Sequence, residues 1–188
     1  MRRALLATLL GLVCWPALAA EDSAKVRRDV AYAASDKSSA RLDIYAPSAG
    51  TAHPILIWIH GGAWRMGDKA QVQAKPRAFN DKGFVFISIN YTLQPDATYK
   101  DQASDVAQAI HWVHDHAREF GGAADRIFLM GHSAGAHLAA LVATDDRYLK
   151  AVGMNLSQIK GVILLDGAGY DIPKQIELAR LPRLKEMY

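Results

Sequence analysis

The residues with the clearest chemical potential surround Ser133, in the stretch GHSAG from Gly131 to Gly135. A buried strand pattern, RIFLM, precedes this stretch and an alanine-rich helix pattern follows it. Serine at this spacing between two glycines is typical of a sharp strand-to-helix turn that presents a nucleophilic hydroxyl, because glycine leaves room for the turn. The positive end of the following helix also points toward any negative charge that develops there. We therefore expect Ser133 to be a catalytic nucleophile; the alternative is an ordinary helix-capping serine.

A second candidate stretch, HGGAW, runs from His60 to Trp64 and directly follows the apolar run PILIWI. Acyl transfer builds negative charge on a carbonyl oxygen, and one donor aimed at that oxygen contributes about 3–4 kcal/mol. A glycine loop can turn its backbone amides toward such an oxygen. Taken alone, this stretch is equally consistent with a glycine turn and a packed tryptophan. Because both stretches follow buried strands, in this order, the pair favours acyl transfer.

These two stretches need a fold that brings the ends of several strands together. The runs PILIWIH, FVFISINY, RIFLMG and IKGVILL indicate strands buried on both faces of a parallel sheet. VRRDVAYAA and ARLDIYAP alternate as a half-exposed pair of strands does. Helices are predicted for DQASDVAQAIHWVHDHAREF, which stops at Gly121, and for Ala134 to Thr144. The sequence thus predicts one α/β domain over residues 21–188, with its ligand site at the carboxyl ends of the strands.

Two longer stretches, SINYTLQPDATYKDQASDV and DRIFLMGHSAGAHLAALVATD, extend the pattern on either side of the two motifs. With HGGAW, they resemble the esterase and lipase branch of the α/β-hydrolase superfamily, and the resemblance covers about residues 27–175. It implies the α/β-hydrolase fold, with helices on both faces of a mainly parallel sheet. It also implies an ester or arylamide as small-molecule substrate, and no cofactor or metal.

The same resemblance implies roles for individual residues. Ala63 departs from the H-G-G-G form of many lipases, which favours small carboxylesterases and arylformamidases, so hydrolysis of an arylformamide-type amide stays open as an alternative. Ser133 would be the nucleophile, the N–H groups of Gly62, Ala63 and Ala134 would form the oxyanion hole, and His60, Gly61 and Trp64 would support the loop.

The resemblance further implies an acid and then a histidine after the nucleophile. No histidine follows His137 in this sequence, so neither Asp166 nor Asp171 has a base to orient. We therefore expect the chain to be the N-terminal two-thirds of a longer esterase, a fragment that lacks the last strands of the fold, the triad acid and the triad histidine. A non-catalytic binding protein on the same fold is the alternative.

Residues 1–20 have the layout of a secretory signal peptide: the positive start MRR, a short apolar run, Pro16 and the small-residue pattern Ala17-x-Ala19. This predicts a secreted or periplasmic protein with no stable membrane anchor after cleavage. Cleavage would remove Cys14, the sole cysteine, and with it any disulfide or thiolate chemistry.

Arg2 and Arg3 would leave with this segment. The remaining basic side chains, from a total of 22, then nearly balance 19 acidic ones, so the charge gives no case for a nucleic-acid partner. The oligomeric state does not follow from the sequence.

A third group of chemical interest is HWVHDH, which holds His111, His114 and His116. At 3.6 residues per turn, these three side chains point in different directions around a helix. We therefore predict no shared metal ion and three separate surface histidines.

Overall fold

The computed structural model describes residues 24–33, 39–167 and 170. The predicted signal segment 1–20 and Asp171 lie outside the described residues. In chain order, the strands and α-helices of the described part are β1 (Lys25–Ala31), β2 (Arg41–Ala46), β3 (His53–Ile59), α1 (Lys75–Asn80), β4 (Val85–Ile89), α2 (Tyr99–His116), β5 (Gly122–His132), α3 (Ala134–Thr144), α4 (Asp146–Ala151) and β6 (Ile159–Leu165).

The described strands form one sheet in the order β1-β2-β4-β3-β5-β6. β1 pairs antiparallel with β2, and β2 pairs antiparallel with β4. β4, β3, β5 and β6 run parallel to one another. The predicted α/β fold with a mainly parallel sheet is therefore confirmed, including the pair of N-terminal strands. The parallel arrangement places the ends of β3, β5 and β6 at the same edge of the sheet.

Helices cover both faces of this sheet, because alternate residues of a strand point to opposite sides. Ile55, Ile57 and Ile59 of β3 belong to a large core cluster that includes the apolar residues of α2 and α3. Leu56 and Trp58 belong to a smaller cluster that is packed against Phe79 of α1. β4, β3 and β5 are thus sandwiched, as their nearly continuous apolar runs predict. The prediction that β6 is buried in the same way is wrong: β6 lies at one end of the described sheet, and its residues Ile163, Leu164 and Leu165 are exposed.

Some element boundaries differ from the sequence prediction. α2 begins at Tyr99 rather than at Asp101, because Thr98 caps the helix and exchanges hydrogen bonds with Asp101. A short 3-10 turn continues α2 to Phe120, and Gly121 ends it in the left-handed conformation, with φ of 77°. The six-residue helices α1 and α4 are absent from the prediction, since six residues carry too little periodicity to reveal a helix. Within the described part of the chain, no helix combines the length and the apolar character needed to cross a membrane.

Candidate active site

Ser133 lies in the sharp turn between β5 and α3. Its backbone has φ of 51° and ψ of −117°, a conformation that side-chain-bearing residues rarely adopt. The Ser133 N–H donates to the Leu165 carbonyl at the end of β6, 2.9 Å away, and the Ser133 carbonyl accepts from the N–H of His137, 3.1 Å away. Both sides of the strained residue are therefore held, one by the neighbouring strand and one by the first turn of α3.

The two glycines of the motif are required by packing. A Cβ on Gly131 would collide with the carbonyl of Gly135, and a Cβ on Gly135 would collide with the carbonyls of Ile59 and His60. The spacing G-x-S-x-G is therefore a steric requirement of this turn. It also brings the start of α3 into contact with the end of β3.

The loop after β3 folds back against the turn. Gly62, Ala63 and Trp64 all have positive φ, at 127°, 51° and 60°, which reverses the chain within three residues. The Gly62 carbonyl closes this reversal by accepting from the N–H groups of Arg65 and Met66, three and four residues further on, each at 3.0 Å. The preceding Gly61 sits so close to the serine turn that a Cβ there would lie 3.3 Å from the Ser133 Cβ. HGGAW and GHSAG thus meet in space, as their shared sheet edge predicts.

His60 packs behind this loop, and within the described residues it makes no hydrogen bond with the Ser133 hydroxyl. Its Nδ1–H donates to the Gly61 carbonyl at 2.8 Å, its ring stacks on Tyr91 with centroids 4.5 Å apart, and the Tyr91 hydroxyl donates to the His60 carbonyl at 3.0 Å. Burial lowers the pKa of the His60 imidazole, against smaller opposing effects of the Gly61 carbonyl and Asp68. A neutral imidazole that donates through Nδ1 fits these contacts.

Trp64 joins the loop to the helix that follows the serine. Its side chain is 2% exposed, and its indole N–H donates to Nδ1 of His137 at 3.3 Å. Its carbonyl accepts from the Gln102 side chain and from the N–H of Gln94, each at 2.9 Å. His137 must present an unprotonated Nδ1 to this donor, and burial lowers the pKa of its imidazole accordingly. Gln102 is not predicted from the sequence, where its one signal is an amide side chain within the apolar stripe of α2.

No base is paired with the serine in the described part of the chain. The Ser133 hydroxyl makes no hydrogen bond there. His132 is exposed, and His137 is engaged with Trp64. Asp166 follows β6 with φ of 47° and is exposed. The structure therefore brings together Ser133 and the glycine loop, but no histidine of the described part is hydrogen-bonded to the Ser133 hydroxyl.

With this geometry established, sequence comparison identifies the family. Residues 42–163 match the family model BD-FAE, which is more than half of the chain. The chain belongs to the BD-FAE family. It is 34% identical over 160 residues to an isoprenylcysteine alpha-carbonyl methylesterase, ICME, of Arabidopsis thaliana, which covers 82% of this chain and 37% of that protein. It is 40% identical over 95 residues to the esterase LipQ of Mycobacterium tuberculosis (strain ATCC 25618 / H37Rv), which covers 50% of this chain and 23% of that protein.

A solved structure shows the same fold. Esterase B from Lactobacillus rhamnosis (HN001) matches this BD-FAE chain with a TM-score of 0.73 and 25% identity, over 89% of this chain and 54% of the other. These matches confirm the predicted α/β-hydrolase fold and the esterase branch of that superfamily. The chain spans little more than a third of the length of the first curated relatives it matches, at 37% for two of them.

Two cavities of this BD-FAE chain lie near the glycine loop. We call the one of about 510 Å³ the glycine-loop cavity; it reaches the serine turn, because Gly61, Gly62 and His132 form part of its wall. The other, of about 840 Å³, lies beside Lys69 and Asn90 and shares no residue of the serine turn. We therefore take the smaller cavity as the one adjacent to the chemistry.

The larger cavity borders an ion-pair network in which Lys69 and Asp43 are buried and Asp29 is exposed. The Lys69 ammonium nitrogen lies 2.7 Å from a carboxylate oxygen of Asp29 and 2.8 Å from a carboxylate oxygen of Asp43. Its backbone N–H also donates to the Asn90 side chain at 2.6 Å. The charge of Lys69 is thus satisfied internally, and the network fixes the loop that follows the HGGAW stretch.

Two histidines of HWVHDH share one carboxylate, and the third contacts a tryptophan instead. Nε2 of His111 lies 3.5 Å from one carboxylate oxygen of Asp115, and Nδ1 of His114 lies 2.9 Å from the other. The His116 ring stacks on Trp112, with ring centroids 4.2 Å apart. Among the described residues, no group of three or more His, Cys, Asp or Glu side chains is arranged to hold a metal ion.

Proposed function

We propose that this chain carries the nucleophile and the oxyanion-binding elements of a serine hydrolase that acts on carboxylic esters. The observation that carries the proposal is the strained backbone of Ser133, at φ 51° and ψ −117°, with the HGGAW loop packed against it. A strained serine above the sheet edge costs stability, and it has a use when its hydroxyl must attack a carbonyl. The ester-hydrolase names of the curated relatives support an ester rather than an amide as the substrate.

In the proposed reaction, the Ser133 oxygen attacks the ester carbonyl carbon and gives up its proton to a general base. A carbon–oxygen bond forms, and the carbonyl electron pair moves onto its oxygen. The N–H groups of Gly62, Ala63 and Ala134 donate to that oxyanion. Its collapse expels the alcohol, which takes up the proton, and water then releases the acid from the acyl-enzyme.

The roles of the remaining loop residues follow from their contacts. Gly61 permits the close approach to the serine turn. His60 fixes the direction of the Gly61 carbonyl, and Trp64 fixes the far end of the loop against α3 through His137. We infer that these residues position the oxyanion donors and take no part in proton transfer.

The proposal places the general base outside these 188 residues. All seven histidines of the chain lie in its described part, and none of them is hydrogen-bonded to the Ser133 hydroxyl. In this proposal the chain is a fragment of the complete esterase, and a triad acid and histidine complete the site from further along the chain.

The test compares hydrolysis of p-nitrophenyl acetate by this chain and by the longest product of the same reading frame. We expect turnover by the longer product, and a loss of kcat of at least about a thousandfold in Ser133→Ala. A longer product that is folded and inert toward esters would reject ester hydrolysis, and turnover of an arylformamide by that product would replace it with amide hydrolysis. Inertness toward both substrates would favour a non-catalytic binding protein.

We also propose that residues 1–20 are a secretory signal and that the mature protein is secreted or periplasmic. The charged start and the Ala17-x-Ala19 pattern support this. N-terminal sequencing of the protein expressed in a Gram-negative host tests it. A mature chain that begins near Glu21, recovered from the periplasm or the medium, is the expected result, and an uncleaved chain would contradict it.

A further inference from the structure

The glycine-loop cavity is lined by groups that donate hydrogen bonds. None of its described lining residues is an aspartate or a glutamate. Five of its polar side chains carry a donor group, and they are those of Trp58, Gln71, Gln73, Lys75 and His132. His60 also lines the cavity, but its N–H already donates to the Gly61 carbonyl. Such a wall favours a ligand group that is rich in acceptors.

One of these donors has no acceptor in the described part of the chain. The side chain of Trp58 is 4% exposed, and its buried indole N–H is unpaired there. A buried donor without a partner destabilises the folded protein, because the donor has lost its hydrogen bond to water. The cavity wall thus contains a polar group that the described fold leaves unsatisfied.

Lys75 places a positive charge on the same wall. Its ammonium lies 4.3 Å from the centroid of the Trp58 ring and donates to the Gln73 side-chain oxygen at 2.7 Å. No carboxylate within the described residues pairs with it, whereas Lys69 of the preceding loop is held between two. Burial lowers the pKa of the Lys75 ammonium, with no anion to oppose the effect. The charge is therefore solvated by neutral groups alone.

We propose that the glycine-loop cavity is the substrate subsite for a carboxylate and that Lys75 determines this specificity. The substrate would then be an ester with a free carboxylate elsewhere in the same molecule. That carboxylate displaces the exposed Gln73 amide from the ammonium, while the ester carbonyl lies at Ser133. This inference rests on the proposed function for its ester chemistry and on the cavity for its charge preference.

The first experiment measures the charge preference on the longest product of the reading frame. Two substrate pairs separate the two halves of an ester: 4-carboxyphenyl acetate against 4-carbamoylphenyl acetate, and methyl hydrogen adipate against the methyl ester of adipic acid monoamide. We expect KM to be about tenfold lower for the acid of at least one pair, the effect of one charged hydrogen bond. The preference should shrink at high salt. Equal KM values within both pairs would overturn the subsite.

Matched variants assign the preference to one side chain. Lys75→Met should abolish the difference in KM between acid and amide, whereas Lys75→Arg should retain it. Lys82→Met is the control, since Lys82 is an exposed lysine that follows the same helix and does not line the cavity. A preference that survives in Lys75→Met, or is lost in Lys82→Met, would reject Lys75 as its origin.

A binding measurement keeps this inference separate from catalysis. Calorimetry with the 188-residue chain should show about tenfold tighter binding of 4-hydroxybenzoate than of 4-hydroxybenzamide, or of methyl hydrogen adipate than of the methyl ester of adipic acid monoamide. The Lys75→Met variant should bind acid and amide equally. If esters are never hydrolysed but this preference is found, the proposed function fails and the subsite stands. If esters are hydrolysed and neither binding nor KM distinguishes acid from amide, the subsite fails and the proposed function stands.

Discussion

Two tryptophan–histidine pairs in the described part of the chain are built in opposite ways. In the buried pair, the indole N–H of Trp64 donates to a ring nitrogen of His137, and the two rings meet edge to face with centroids 5.5 Å apart. In the surface pair, Trp112 and His116 of α2 stack 4.2 Å apart, and His116 donates to the Trp112 carbonyl at 2.8 Å. The first pair joins residues 73 positions apart. The second joins residues of one helical turn.

The difference shows how the same two residue types serve different purposes. A contact within a helix adds to a structure that the helix already forms. The Trp64–His137 contact has no such local support, and it fixes the HGGAW loop to the helix that carries Ser133. The hydrogen bond also constrains chemistry, because tryptophan can only donate and His137 must stay unprotonated at Nδ1. Substitutions in the buried pair should therefore lower the free energy of unfolding more than the same substitutions in the surface pair.

Truncation of the two tryptophans should give the largest contrast. Trp64→Ala is expected to lower the free energy of unfolding by about 3–5 kcal/mol, since it empties a fully buried site. Trp112→Ala removes a half-buried ring and should cost clearly less. Urea denaturation followed by circular dichroism measures both values. Equal losses in the free energy of unfolding would show that the buried and the surface pair stabilise the fold to the same extent.

Replacement of the two histidines should give an intermediate effect. His137→Leu removes the ring nitrogen that accepts from the Trp64 N–H, which costs about 1–3 kcal/mol. His137→Gln supplies an amide oxygen to the same donor and should recover part of that loss. His116→Leu should cost less than His137→Leu, because the Trp112 carbonyl can turn to water at a half-exposed site. If glutamine at position 137 is no better than leucine, the hydrogen bond is not what stabilises the buried pair.

Acid should produce the smallest and most specific effect. The pKa of His137 is lower in the folded protein than its ordinary value of 6.5 because the ring is buried. As the pH falls below 6.5, the His137 ring of the unfolded chain takes up a proton before the ring of the folded protein does. The contribution of His137 to the free energy of unfolding is therefore fully present above pH 6.5, and it decreases as the pH falls toward the folded-state pKa.

Urea denaturation between pH 8 and pH 5 measures this dependence. Wild type should lose more stability across that range than His137→Gln, which has no ring to protonate. Some dependence should persist in the variant, since burial also lowers the pKa of His60. Identical pH profiles for the two proteins would exclude His137 as a source of acid sensitivity.

The sequence was sufficient for features that local rules determine. The burial of β3, β4 and β5, the α3 boundaries and the meeting of HGGAW with GHSAG follow from apolar runs, glycine spacing and the common edge of parallel strands. The apolar run of β6 did not predict its exposure, because exposure depends on what packs beside a strand. The position of β4 between β2 and β3 had no local signal and was not predicted. Nor were the contacts of Trp64 with His137 and Gln102, because the partners are far apart in sequence and only the packed fold brings them together. The side-chain partners of Lys69 and Lys75 were not predicted either, for the same reason. They decide that the ammonium beside the larger cavity is neutralised by carboxylates and that the one in the glycine-loop cavity is not.

The contact between Gly135 and the end of β3 has a practical consequence for protein engineering. Because any side chain at Gly135 would push α3 away from Ile59 and His60, the serine turn and the glycine loop share one tightly packed junction. Grafting GHSAG alone into another sheet would transplant a serine without the surface against which its helix must sit. A designer who wishes to move this site should therefore transfer β3, β5 and the start of α3 as one cassette, with the register between Ile59 and Gly131 preserved.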